Sequence, residues 1–179
     1  MGHRVLLPLF LLGLCACGRT GHLAGDPAAD GAPPDARLVP EARPADAPYT
    51  PPGTWIHVKP GAFFMGSPTK EACRDGYDER QHMVVLTRGY EIYSTEVTRG
   101  EFHAAMGYDP TASMSGLDHP VGRATWSEAA AYCNALSAAA GLKACYSCKG
   151  SLGAVACNPA SKPHACLGYR LPTEAEYEY

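Results

Sequence analysis

Hydrophobic and polar positions alternate in four short stretches near the middle of the chain, as expected for β-strands. The stretches cover residues 54–59, 62–65, 82–87 and 90–93. Between the first two lie Pro60 and Gly61, which are typical turn residues because proline fixes φ and glycine accepts positive φ. Residues 67–81 are mostly polar and predict a long loop.

Three helix starts share one local pattern, a threonine followed three residues later by a glutamate. The pairs are Thr98 with Glu101, Thr125 with Glu128, and Thr173 with Glu176. In such a capping box the hydroxyl accepts a hydrogen bond from the amide three residues on. The carboxylate accepts one from the amide of the threonine. We therefore expect helices to begin at these three places.

The same stretches indicate where the helices end. Val97 and Phe102 flank the first start as a hydrophobic staple, and Gly107 predicts its end. The second helix has apolar residues at helical spacing over 126–140 and ends before Gly141. Only six residues follow the third threonine, which weakly favours a chain that stops inside a domain. The alternative is a short terminal turn that docks on the sheet.

The N-terminal residues have the layout of an export signal. A basic start precedes an apolar run at residues 5–14, and residues 14–17 (LCAC) resemble a bacterial lipobox. We predict a lipoprotein signal peptide over residues 1–16, with lipid attached to Cys17. The membrane is then a partner through that anchor, in the cell envelope at the outer membrane or cell surface. The alternative is an ordinary secretory signal that leaves Cys17 unmodified.

Composition changes the picture on both sides of residue 53. After the lipidated cysteine, residues 17–52 are rich in Pro and Ala and predict a disordered tether, because they hold too few large apolar residues for a core. Residues 53–179 carry the globular pattern. The chain of 179 residues has a formal net charge of −3, which excludes a strongly basic surface and makes nucleic acid an unexpected partner.

Five segments of the globular part resemble the formylglycine-generating enzyme, or sulfatase-modifying factor, family in the family's own order. They are residues 61–67 (GAFFMGS), 78–86 (DERQHMVVL), 96–98 (EVT) with Phe102, 119–121 (HPV) with Trp126 and Cys133, and 169–179 (YRLPTEAEYEY), where Tyr177 replaces the usual Trp. The resemblance implies an α+β fold, a variant of the C-type-lectin type with little regular secondary structure. It also implies that residues 53–179 are a partial domain.

The resemblance implies no catalytic or metal-binding residue for this chain. The full-length family enzymes use copper and oxygen to convert a sulfatase cysteine to formylglycine, and they also bind calcium. Their calcium ligands and reactive cysteine pair follow the segment that resembles residues 169–179. We therefore expect no cofactor here and an incomplete fold.

Cysteines dominate residues 143–168, which resemble an insertion in the family domain. Cys145, Cys148, Cys157 and Cys166 favour two disulfides, since export leads to an oxidising compartment. A zinc site and a redox motif are the alternatives, and the spacing leaves all three disulfide pairings open. Cys133 is expected to be a buried free thiol. Cys73, in the predicted loop, has no assigned role.

Two functions fit these observations. The first is an exported lipoprotein whose truncated domain is a non-catalytic binding or structural module, with an envelope protein or a peptide as ligand. The second is a fragment of a formylglycine-generating oxidase. The anchor, tether and cysteine-rich insertion favour the first for activity, while the family resemblance gives the ancestry.

Overall fold

The computed structural model describes residues 3–5, 53–72, 74, 77, 79–111 and 116–179. In these residues the strands are β1 (His3–Val5), β2 (Trp55–Val58), β3 (Gly61–Met65), β4 (His82–Leu86), β5 (Tyr90–Tyr93), β6 (Tyr146–Lys149) and β7 (Ala156–Pro159). The α-helices are α1 (Arg99–Met106), α2 (Trp126–Ala139) and α3 (Glu174–Glu178). Short strands and few helices match the small α+β fold expected from the sequence.

The strands form three small sheets. In the first, β5 lies between β1 and β2, parallel to β1 and antiparallel to β2. The second pairs β3 with β4, and the third pairs β6 with β7, both antiparallel. The predicted stretches 54–59, 62–65, 82–87 and 90–93 correspond to β2, β3, β4 and β5, so the alternating pattern is confirmed.

The β3–β4 sheet has one covered and one open face. Phe63 pairs with Val84 and both side chains are half-buried, whereas the pair Phe64 and Met83 points to the other side. Phe64 and Met83 are each 64% exposed, so this apolar face has no cover in the described residues.

All three predicted capping boxes are present. Thr98, Thr125 and Thr173 are the N-caps of α1, α2 and α3, and each accepts a hydrogen bond from the glutamate amide three residues later. Gly107 ends α1 with φ 75°, and Gly141 follows α2 with φ 66°. Both predicted helix ends are therefore confirmed, and each uses a positive φ that suits glycine.

The carboxylates of these boxes also reach distant parts of the fold. Glu101 accepts at Oε2 from the Thr98 amide and at Oε1 from the Tyr93 hydroxyl, 2.7 Å away. Glu128 caps α2 in the same way and accepts at Oε1 from the Tyr108 hydroxyl, also at 2.7 Å. Each carboxylate thus joins a helix start to a distant part of the chain.

The core lies between α1, α2 and the first sheet. Phe102 of α1 stacks on Tyr132 of α2, with ring centroids 5.5 Å apart. Tyr93 of β5 packs against Trp55, which also contacts Tyr169. Ala130 and Cys133 are fully buried, and Cys133 is a free thiol as predicted.

The short helix α3 is held by packing. The Tyr90 hydroxyl of β5 donates to the Glu176 carbonyl at 2.6 Å, and Glu178 accepts from the amide of Gly66 after β3. The Tyr179 ring lies 5.2 Å from the Phe63 ring. Both the first and second sheets therefore contact the C-terminal residues 174–179.

The N-terminal predictions are only partly covered by the structure. Cys17, the tether 17–52 and most of the predicted signal peptide 1–16 lie outside the described residues, as does Cys73. Within 1–16, His3–Val5 form β1, which pairs with β5. None of the helices in the described part of the chain has the length and apolar character that a bilayer crossing requires.

Candidate functional site

The cysteine-rich insertion forms a β-hairpin, although its sequence lacks strand periodicity. The register of β6 and β7 places Cys148 opposite Cys157, and the two form a disulfide with Cα atoms 4.1 Å apart. Cys145 and Cys166, on either side of the hairpin, form a second one with Cα atoms 5.6 Å apart. The prediction of two disulfides is confirmed and one pairing is selected. None of these four thiols is left to bind zinc.

Polar side chains on α2 attach the hairpin to the core. Asn134 donates through Nδ2 to the Tyr146 carbonyl at 2.9 Å and accepts from the Tyr146 amide at 3.1 Å. Ser127 accepts from the Cys157 amide at 3.1 Å. Each hydrogen bond pairs a backbone group of the insertion that would otherwise need water. The hairpin therefore has a fixed position relative to α2.

Glycine is required where the insertion returns to the core. A Cβ atom at Gly168 would lie 2.2 Å from the Lys143 carbonyl oxygen and 2.7 Å from Ser137 Oγ. Both distances are shorter than side chains tolerate. The backbone on either side can approach only because this residue has no side chain. Ser137 Oγ then accepts from the amide of the next residue, Tyr169, at 2.8 Å.

An apolar cleft opens between the insertion and the start of α3. Its volume is about 130 Å³. Trp126 and Tyr146 meet edge to face in its wall, with ring centroids 5.6 Å apart. Leu171, three prolines and the Cys145–Cys166 disulfide also line it. Trp126 begins α2 and is 46% exposed, so its ring is available to a ligand.

A buried arginine lies in the wall of this cleft. Arg170 is 3% exposed and forms two hydrogen bonds of 2.6 Å to the carboxylate of Glu176, through Nη1 and Nη2. Burial alone raises the pKa of Glu176, but the hydrogen bonds from Arg170 and the Thr173 amide outweigh it and lower the pKa. Arg170 Nε has no hydrogen-bond partner among the described residues. The pair is therefore ionised and neutral overall.

Two further groups near the cleft, the Cys133 thiol and the Tyr146 hydroxyl, keep their protons at neutral pH. Burial raises the pKa of the Cys133 thiol well above its ordinary value, so it is not a thiolate at neutral pH. Burial, with the nearby Cys133, raises the pKa of Tyr146 to about 12. The Tyr146 hydroxyl accepts from the Leu171 amide at 2.9 Å. No group of three or more potential metal ligands occurs within the described ranges.

Sequence reasoning found the disulfides but not the cleft. Trp126 was expected only as an apolar residue of the second helix and as part of a family-like segment. Arg170 was named only as part of the family-like segment 169–179, and no ion-pair partner was predicted for it. The capping box at Thr173 was the one available signal, because it fixes where Glu176 lies relative to the cleft.

Comparison with protein families decides the ancestry. The family described as "Sulfatase-modifying factor enzyme 1-like domain" matches residues 40–179. The chain belongs to this family. The sequence resemblance is thus confirmed, and the observed fold is consistent with it. The match begins at residue 40, inside the segment 17–52 that was predicted as a tether.

Two similar proteins place the sulfatase-modifying factor domain in context. "Chaperone protein LppX" from Paenibacillus barcinonensis is 34% identical over 136 residues, which cover 69% of this chain and 43% of that protein. The solved structure of "Treponema denticola variable protein 1" is similar with a TM-score of 0.50 and 25% identity, covering 75% of this chain and 55% of that one. The chain therefore spans about half the length of the relatives it matches.

Proposed function

We propose that this chain is an exported lipoprotein, anchored through Cys17, whose sulfatase-modifying factor domain is a binding or structural module without cysteine-oxidising activity. The state of its cysteines supports the absence of cysteine-oxidising activity. All four cysteines of the insertion are paired in disulfides. Among the described residues the free thiol is Cys133, which is fully buried with a raised pKa. Thiol chemistry needs an accessible thiolate, and these groups do not provide one.

Family membership favours a second candidate, a fragment of a formylglycine-generating oxidase. Such an enzyme would bind copper through reduced cysteines. The cysteines of the insertion do not fit that group, because each sulfur already bonds to another sulfur. We therefore derive no copper-dependent step for the described residues.

The relative from P. barcinonensis supports a binding role. Its printed name describes a chaperone protein. A chaperone binds other polypeptides, so a polypeptide ligand is the class that this similarity favours. The exposed apolar surfaces of the domain, on β3–β4 and in the cleft, suit such contacts.

Metabolic labelling with a palmitate analogue tests the anchor. Wild-type protein should incorporate the label, and Cys17→Ala should lose it. Cys15→Ala is the matched control, since it changes a neighbouring cysteine and should keep the label. Label that persists in Cys17→Ala would show that the anchor is wrong.

An aldehyde assay tests the absence of oxidase activity. The purified chain is incubated with a Cys-x-Pro-x-Arg peptide, copper and oxygen, and the peptide is probed with an aldehyde-reactive reagent. We expect no aldehyde above a reaction without protein. Aldehyde formation that depends on the chain would refute the non-catalytic assignment and establish the oxidase candidate.

A further inference from the structure

We propose that the cleft beside the insertion binds one apolar side chain of an acidic, extended polypeptide segment. Trp126 and Tyr146 would contact that side chain, and Lys162 would attract the acidic residues next to it. The inference rests on the proposed function, because it names the site and the ligand class of a binding module.

The size of the cleft favours a single side chain. Its volume is about 130 Å³. A cavity of about 150 Å³ accommodates benzene, whereas pockets for drug-sized ligands and cofactors have about 300–1,000 Å³. A leucine, proline or phenylalanine side chain therefore fits, and a whole nucleotide or flavin does not. A side chain that belongs to a longer chain would leave the rest of the ligand on the rim.

The walls suit an extended backbone. Trp126 presents a partly exposed ring, and Pro159, Pro163 and Pro172 surround it with rigid apolar surface. Aromatic-lined grooves bind extended, preorganised peptides because such ligands lose little conformational freedom on binding. The Cys145–Cys166 disulfide is part of the wall and covalently joins the two ends of the insertion. The cleft is thus formed before a ligand arrives.

The charge around the cleft selects an acidic ligand. Residues 141–173 contain three lysines and one arginine but no aspartate or glutamate, in a chain with a formal net charge of −3. Lys162 is exposed and lies between two lining residues, Ser161 and Pro163. Arg88 extends this positive rim, since its Nη1 donates to the His164 carbonyl at 3.2 Å.

The opposite rim of the cleft carries a negative charge. Glu174 is exposed and follows Thr173, which lines the cleft at the start of α3. The charge of Arg170 is already neutralised by Glu176. An acidic segment would therefore lie along the Lys162 side and avoid the Glu174 side, which gives the bound peptide a preferred path.

Fluorescence anisotropy with synthetic peptides tests the proposal on the full-length chain. The probe is a fluorescein-labelled peptide with one central phenylalanine between aspartates. One control peptide has glycine in place of phenylalanine, and the other has lysines in place of aspartates. Full burial of a phenylalanine side chain corresponds to about tenfold or more in affinity. We expect the glycine peptide to bind about tenfold more weakly, and the lysine peptide to bind more weakly at low salt only.

Two variants locate the binding to the cleft. Trp126→Ala should weaken binding of the phenylalanine peptide about tenfold, and Ile56→Ala, a matched change at an exposed apolar residue on β2, should not. Lys162→Glu should weaken binding of the acidic peptide at low salt. Lys70→Glu makes the same change in net charge at an exposed residue of the loop after β3, which does not line the cleft, and should have a smaller effect. Because Lys162 is exposed, its replacement leaves the fold intact.

Three results would overturn the proposal. These are equal binding of the acidic and lysine peptides at low salt, unchanged binding in both cleft variants, and binding of neutral oligosaccharides at Trp126 in place of the peptides. Palmitate labelling and the aldehyde assay report on the proposed function separately. A protein that keeps its label, forms no aldehyde and binds no peptide would therefore refute this inference alone.

Discussion

Replacing Glu176 with alanine tests how strongly one buried carboxylate holds α3 to the rest of the fold. Its two oxygens accept four hydrogen bonds, two from Arg170 at 2.6 Å and two from Thr173 at 2.9 and 3.1 Å. The Thr173 bonds form the capping box, which is worth about 1 kcal/mol. Loss of the ion pair leaves the Arg170 charge buried without a counterion and costs about 3–5 kcal/mol. We expect Glu176→Ala to lower the free energy of unfolding by about 4–6 kcal/mol.

A double variant separates the ion pair from the cap. Arg170→Met combined with Glu176→Leu removes both charges and replaces them with apolar groups of similar size. Such replacements of a buried pair are often neutral or stabilising, so mainly the loss of about 1 kcal/mol from the cap should remain. Urea unfolding followed by tryptophan fluorescence measures all variants. The reasoning fails if the double variant loses as much stability as the sum of the losses of Arg170→Met and Glu176→Leu, each made alone.

The same pair predicts acid sensitivity. The pKa of Glu176 is lower in the folded protein than its ordinary value, so its ionised form stabilises the fold. That contribution is complete above the unfolded pKa of about 4.3 and is lost as the pH falls through the folded pKa. Wild-type protein should therefore lose stability more steeply below about pH 4 than Glu176→Gln. If the stability of the two proteins fell equally steeply with pH, ionisation of Glu176 would not be the cause.

Three further predictions concern stability and solubility. Replacing Cys145 and Cys166 together by serine should cost about 3 kcal/mol, as expected for a closed loop with a sequence separation of 21, and urea unfolding measures it. Gly168→Ala should destabilise the fold by about 1–3 kcal/mol because the added methyl group would clash with the backbone. Gly153→Ala is the control, since that position has room for a methyl group. Equal urea midpoints for the two variants would contradict this. Phe64→Thr should reduce aggregation, measured by light scattering, and change stability by less than about 0.5 kcal/mol; unchanged scattering would show that the open β3–β4 face is harmless.

The sequence predicted those features that depend on neighbours along the chain. The capping boxes at Thr98, Thr125 and Thr173 are complete within four residues, so their geometry follows from residue order alone. The strands β2 to β5 likewise follow from local alternation. The number of disulfides followed from the cysteine count and the expected compartment.

Features that depend on distant contacts could not be predicted in this way. The β6–β7 hairpin has no alternating pattern, because two disulfides and Asn134 hold it in place of a hydrophobic face. The cleft needs Trp126 and Tyr146 to meet, although they lie on different elements. The partnership of Arg170 with Glu176 has no helical or strand spacing. Such contacts become visible only when the elements are packed.

The capping carboxylates tie secondary structure to tertiary structure atom by atom. In Glu101 and in Glu128, one carboxylate oxygen caps the start of a helix, while the other accepts a hydrogen bond from a tyrosine outside that helix. When the first turn of such a helix unfolds, its glutamate also loses the hydrogen bond to the tyrosine. When the tyrosine moves away, the first turn of the helix is likewise less firmly held. Such shared atoms discourage intermediates in which helices persist without packing. Far-ultraviolet and near-ultraviolet circular dichroism should accordingly vanish over the same range of urea.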